Sequence, residues 1–128
     1  MLPNKHVFYG AIFSFMIWIS FPIPLWGIVL VFASSVLIDF DHYLWYVVKK
    51  KDWSLKNAYN FLRYTDHGKT LMVFHTVEFL VLTAILSYWW IGFFYIFTGM
   101  IFHSALDIME MGRRNLKYRE FFLVRVLF

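Results

Sequence analysis

The sequence predicts an all-α integral membrane protein: a bundle of four transmembrane helices, both termini cytoplasmic, with a short amphipathic interfacial helix between spans two and three. Three observations predict it. Hydrophobic residues make up 61% of the 128 residues and charged ones 16%, against about 45–50% and about 25% in a soluble domain. The apolar residues gather in runs separated by short basic segments, the arrangement a bilayer imposes. And with four crossings drawn through those runs, every Lys and Arg falls on one side.

The spans are expected at about 7–20, 25–48, 70–88 and 90–111 within a single domain of 1–128. The first ends in Phe21-Pro22-Ile23-Pro24, two prolines too close together for a regular helix, so the chain must turn there. It is short for a span, and its one basic residue followed by an apolar region could suit a signal peptide. No small-residue cleavage site precedes the turn, so it is read as retained. The second run is interrupted only by Asp39, Asp41 and His42 before Lys49-Lys50-Lys51-Asp52. Trp26, Trp89 and Trp90 stand where interfacial aromatic belts form. Ser54–Tyr64 reads as the interfacial helix, with Leu55, Ala58, Tyr59 and Leu62 on one face. The basic tail 113–128 is similarly expected to lie against the membrane.

The charges orient the bundle. Lys5 precedes the first span; Lys49, Lys50, Lys51, Lys56, Arg63 and Lys69 lie between the second and third; Arg113, Arg114, Lys117, Arg119 and Arg125 follow the fourth. The opposite turns, Phe21–Pro24 and Ser87–Gly92, carry no charge. The positive-inside rule then predicts a multi-pass protein of the cell (inner) membrane with cytoplasmic termini. The net charge of +4 is accounted for by this placement, and no nucleic-acid partner is expected; the partner is membrane lipid. A unit this small could also form a homo-oligomer.

Within such spans an ionisable residue costs about 2.5–3.5 kcal/mol on insertion scales. This chain places Asp39, Asp41 and His42 in the second span, His75 and Glu78 in the third, and His103 and Asp107 in the fourth, with His6 at the mouth of the first. Counted from the nearest basic residues at about 1.5 Å per residue, all three sets lie roughly 9–15 Å inside the same face. Asp39 and His42, and His75 and Glu78, are spaced i,i+3; His103 and Asp107 are i,i+4. Each pair therefore shares a helical face. Asp41 would point elsewhere in an ideal helix, so it either supports the ligands from behind or stands where the helix is distorted. Carboxylate–histidine pairs on facing helices are how bundle cores build metal sites. With no cysteine, any ion is held by nitrogen and oxygen, which suits zinc, manganese or iron. Asp39, Asp41, Glu78 and Asp107 have no Lys or Arg within a span to neutralise them, and a cation among them is favoured over several buried unpaired charges. Asp66 and His67, in the basic loop, read as a solvated pair. Gly10, Gly27, Gly92 and Gly99 read as packing positions.

These residues carry a resemblance. His6-Val7-Phe8-Tyr9-Gly10, Ile38-Asp39-Phe40-Asp41-His42, His75, and His103-Ser104-Ala105-Leu106-Asp107 follow in the order of the YdjM-like family of small inner-membrane proteins, described as metal-dependent hydrolases. The match runs from Lys5 to about Gly112. It departs at Ile38, where the family commonly has proline, and at His67-Gly68-Lys69-Thr70, which lacks the family's arginine. The resemblance implies metal or catalytic roles for His6, Asp39, Asp41, His42, His75, His103 and Asp107.

The expected activity is a metal-dependent hydrolase at the cytoplasmic face, using one or two divalent ions, zinc or manganese, on an amphiphilic or lipid-like substrate. His6, Asp39, His42, His75, His103 and Asp107 are the expected ligands, and Asp41 or Glu78 the general base. The alternative is a non-catalytic metal-binding or ion- and proton-handling membrane protein. A haem carrier with histidine axial ligands is disfavoured, because the carboxylates would sit against the porphyrin. No His-Glu-x-x-His motif is present.

Overall fold

In a computed structural model, residues 3–64 and 73–114 are described. They form helices throughout, with no strand among the described residues: α1 Pro3–Ser20, α2 Leu25–Leu37, α3 Phe40–Lys50, α4 Leu55–Tyr64, a 3-10 turn Val73–His75, α5 Val77–Leu86 and α6 Ile91–Arg114. Two stretches are long and apolar enough to cross a membrane, Leu25–Lys50 taken through the α2–α3 junction and Ile91–Glu110. Asp66, His67 and the tail beyond Arg114 lie outside the described residues.

Local chemistry sets the boundaries. α1 stops at Ser20 because Phe21 precedes a proline, and Pro24 holds extended backbone (φ −65°, ψ 152°) at the entry to α2. α3 carries Lys49 and Lys50 in its last turn, where cations complement the helix dipole. It closes on Lys51 in the left-handed region (φ 53°, ψ 32°), whose N–H donates to the Val47 carbonyl. Ser54 caps α4 by accepting from the Asn57 N–H at 3.3 Å, and Thr76 caps α5 by accepting from Phe79 N–H at 3.3 Å. In α4 the predicted face is divided. Ala58 and Phe61 pack against Tyr46 and Val47 of α3, whereas Leu55 is 71% exposed beside an equally exposed Trp53.

The third apolar run is not one helix. Thr76 is extended (φ −81°, ψ 150°) between the 3-10 turn and α5, and α5 is only 10 residues long. The second run is also interrupted: α2 ends at Leu37 and α3 begins at Phe40. His42 N–H donates to the Asp39 carbonyl at 3.1 Å, an i,i+3 bond that tightens the helix there.

α2 is central, packed on α1 and α6, and α5 packs on α6. At one end Trp26 of α2 stacks with Trp90 just before α6, centroids 6.3 Å apart. Towards the other end, the Ser35 carbonyl meets His103. α2 and α6 therefore run parallel, while α1 returns alongside them to bring His6 to the His103 end. Close approach depends on small residues. A Cβ at Gly10 would lie 2.5 Å from Ser35 Oγ. One at Gly99 would overlap the Val31 carbonyl and the Ser34 hydroxyl, and lie 3.0 Å from the Ser35 nitrogen. Glycine lets the α2 and α6 backbones touch there.

Candidate metal centre

The end opposite the tryptophans gathers side chains from four places in the chain: His6 from α1, Asp39, Asp41 and His42 from the α2–α3 junction, His75 from the 3-10 turn, and His103 and Asp107 from α6. His6, Asp41, His75, His103 and Asp107 are buried; His103 is 0% exposed.

Asp39 is the hub. It occupies the N-cap position of α3 yet makes no side-chain capping bond, although aspartate there normally accepts from the first helical N–H groups. Its carboxylate turns into the cluster instead. Oδ1 lies 3.3 Å from His103 Nε2, 3.4 Å from His75 Nε2 and 3.5 Å from His42 Nδ1; Oδ2 lies 3.7 Å from His6 Nε2. Asp107 completes the far side, with Oδ1 3.3 Å from His6 Nε2 and Oδ2 3.4 Å from His103 Nε2.

The outer nitrogens of two rings are committed. His103 Nδ1 donates to the Ser35 carbonyl at 2.8 Å, and a carbonyl only accepts, so this nitrogen carries the proton. His75 Nδ1 donates to Asp41 Oδ2 at 3.0 Å. Neutral imidazole then leaves a bare lone pair on each Nε2. Those two atoms face each other at 3.1 Å, and both also face the Asp39 carboxylate. Lone pairs and carboxylate oxygens gathered in this way are stabilised by a positive centre among them. Ligand atoms about 2.0–2.2 Å from a tetrahedral ion lie roughly 3.3–3.6 Å apart. The distances here, 3.1–3.5 Å among Asp39 Oδ1, His75 Nε2 and His103 Nε2 and 3.4 Å from His103 Nε2 to Asp107 Oδ2, fit that spacing. The buried His/Asp group can hold a metal ion.

His6 adds a separate sign. It is 1% exposed, and neither ring nitrogen has a hydrogen-bond partner among the described residues. Its ring stacks on His103, centroids 4.0 Å apart, which aims Nε2 at the two carboxylates.

The two candidate bases stand in different surroundings. Glu78 belongs to neither convergent group of potential ligands. Its i,i+3 relation to His75 assumed a continuous helix, and the extended Thr76 breaks it; Glu78 sits instead in the first turn of α5, where a carboxylate faces the positive helix end. Asp41, expected as a base, accepts from His42 Nδ1 at 2.8 Å, His75 Nδ1 at 3.0 Å and the Phe74 N–H at 3.1 Å. Such a carboxylate orients ligand imidazoles. One contributor has no side-chain signal in the sequence: the Ser35 carbonyl, which accepts from His103 Nδ1.

Compared with protein-family models, curated proteins and solved structures, the chain matches none.

Proposed function

We propose that this chain is a four-span protein of the inner membrane, of the YdjM-like type, whose His/Asp cluster holds divalent zinc or manganese and hydrolyses an amphiphilic, lipid-like substrate at the cytoplasmic face. The observation that carries the reading is the meeting of His75 Nε2 and His103 Nε2 at 3.1 Å, both facing Asp39, while the Nδ1 atom of each ring is engaged elsewhere. A proton on one of these nitrogens serves one neighbour at a time, whereas a dication takes lone pairs from several at once.

When bound, a divalent ion supplies Lewis acidity and lowers the pKa of a coordinated water toward about 7. The chain does the rest. Ser35 and Asp41 lock the tautomers of His103 and His75. Asp39 and His42, each with side chains 21% exposed, form the open margin by which a substrate reaches the cluster. The basic segment Lys49–Lys51 and the exposed Trp53 and Leu55 beside α4 suit a surface resting on anionic headgroups, which favours a lipid-like substrate.

The deep burial of His6, His103 and Asp107 favours a second reading, a structural ion with no turnover, because closed sites hold metals without reacting. One experiment separates the two. Detergent-purified protein, loaded with zinc or manganese, is assayed on a panel of lipid phosphoesters, esters and amides beside His75→Ala. Metal-dependent turnover lost in the variant is expected. No turnover by the loaded wild type, or equal rates in both proteins, would sink the hydrolase.

A further inference from the structure

The donors exceed what one ion takes, and they divide. His6, Asp39, His103 and Asp107 form one group whose ligand atoms lie within 4.8 Å of one another; Asp39, His42 and His75 form a second. Asp39 belongs to both. Its oxygens face both groups: Oδ2 stands 3.7 Å from His6 of the first, and Oδ1 lies between His103 of the first at 3.3 Å and His75 and His42 of the second at 3.4 Å and 3.5 Å. A carboxylate whose oxygens face both groups is placed to bridge two ions.

The groups differ in enclosure. In the first, His6, His103 and Asp107 are all under 5% exposed, and with Asp39 they offer four protein ligands, the number that closes a tetrahedral site. In the second, Asp39 and His42 side chains are each 21% exposed, and three protein residues leave a coordination position free, the pattern of a reactive site. His6 is the independent sign that the inner group is built for a ligand: it is 1% exposed, its nitrogens have no hydrogen-bond partner among the described residues, and its Nε2 stands 3.3 Å from Asp107 Oδ1.

We infer that the cluster is a two-ion centre bridged by Asp39, with a closed inner ion on His6, His103 and Asp107 and an open, exchangeable outer ion on His42 and His75. This rests on the metal reading above and extends it to number and division of labour. Paired ions at about 3.5–4 Å are the arrangement that clamps attacking and leaving oxygens in phosphoester hydrolysis, so the inference narrows the substrate to a phosphoester of an amphiphile.

The test uses the full chain in detergent, stripped with chelator and titrated with Mn²⁺, read by elemental mass spectrometry and by electron paramagnetic resonance. Two equivalents with an exchange-coupled spectrum are expected in the wild type. His42→Ala, at the open margin, is expected to keep one equivalent and show an uncoupled spectrum. His42→Gln is measured beside it, with helicity followed by circular dichroism so that a misfolded variant is recognised. One equivalent in the wild type, two without coupling, or a folded His42→Ala that still gives the coupled pair would each overturn the inference. A single ion with turnover intact overturns the pair and leaves the hydrolase. Two coupled ions with no turnover sink the hydrolase and leave the pair.

Discussion

Two aspartates stand at the two ends of α3, and they meet opposite kinds of neighbour. Asp52, just beyond the C-terminal end, accepts from the Tyr46 hydroxyl at 2.7 Å, the Ser54 N–H at 2.9 Å and the Asn57 amide at 2.9 Å. Every partner is a donor, and the carboxylate ties α3 to α4. Asp39, at the N-terminal end, forgoes its cap and faces imidazole nitrogens of His75 and His103 whose protons are committed elsewhere. A carboxylate whose partners all donate to it is finished; one that meets imidazoles whose Nδ1 protons go elsewhere has room for a cation. The kind of neighbour, more than burial or sequence position, separates a structural aspartate from a ligand.

The sharpest way to break this contrast is His103→Ala, which removes the nitrogen shared by Asp39 and Asp107. Bound metal is expected to fall by at least one equivalent by elemental mass spectrometry; wild-type content would end the distinction. Next in size is Asp41→Asn, which leaves the ligands in place but weakens their orientation. Metal affinity should drop by about 10–100-fold in a competition titration with a chromophoric chelator. Gly99→Val follows. It forces a side chain against the Val31 carbonyl, and overpacking of this kind costs about 1–3 kcal/mol, read as a lower unfolding temperature in detergent.

The smallest effect belongs to the finished aspartate. Asp52→Asn should leave metal content unchanged and speed amide hydrogen exchange at Ser54 and Asn57. The Tyr46 hydroxyl first, then Asn57 and the Ser54 N–H, hold the Asp52 carboxyl below its ordinary range. Its contribution is therefore fully present above the unfolded value of about 3.9 and is lost as pH falls through the lower folded value. Hydrogen exchange at the α3–α4 link should accelerate only in that acid window, and the Asp52→Asn protein should lose the acceleration.

What the sequence by itself determined is the helical character and the membership of the cluster. Apolar runs broken by Pro22 and Pro24 and by the Lys49 segment mark helix ends, because proline cannot continue a helix and bilayers exclude bare charge. Ionisable residues at matched depth singled out Asp39, Asp41, His42, His75, Glu78, His103 and Asp107, and His6 stood at the mouth of the first run. Periodicity, however, reports only which residues share a face of one unbroken helix. It placed Glu78 beside His75, since nothing in the apolar pattern marks Thr76 as the extended cap that separates them. It could not show which imidazoles Asp41 meets, because Phe74 and His75 reach it from a distant part of the chain. Only the tertiary structure decided which ring nitrogen keeps its proton. That choice is made by the Ser35 carbonyl, delivered to His103 because Gly10 and Gly99 let three helices close on one point. Composition sets what must leave water; the geometry of contact between helices sets which lone pairs are left facing each other.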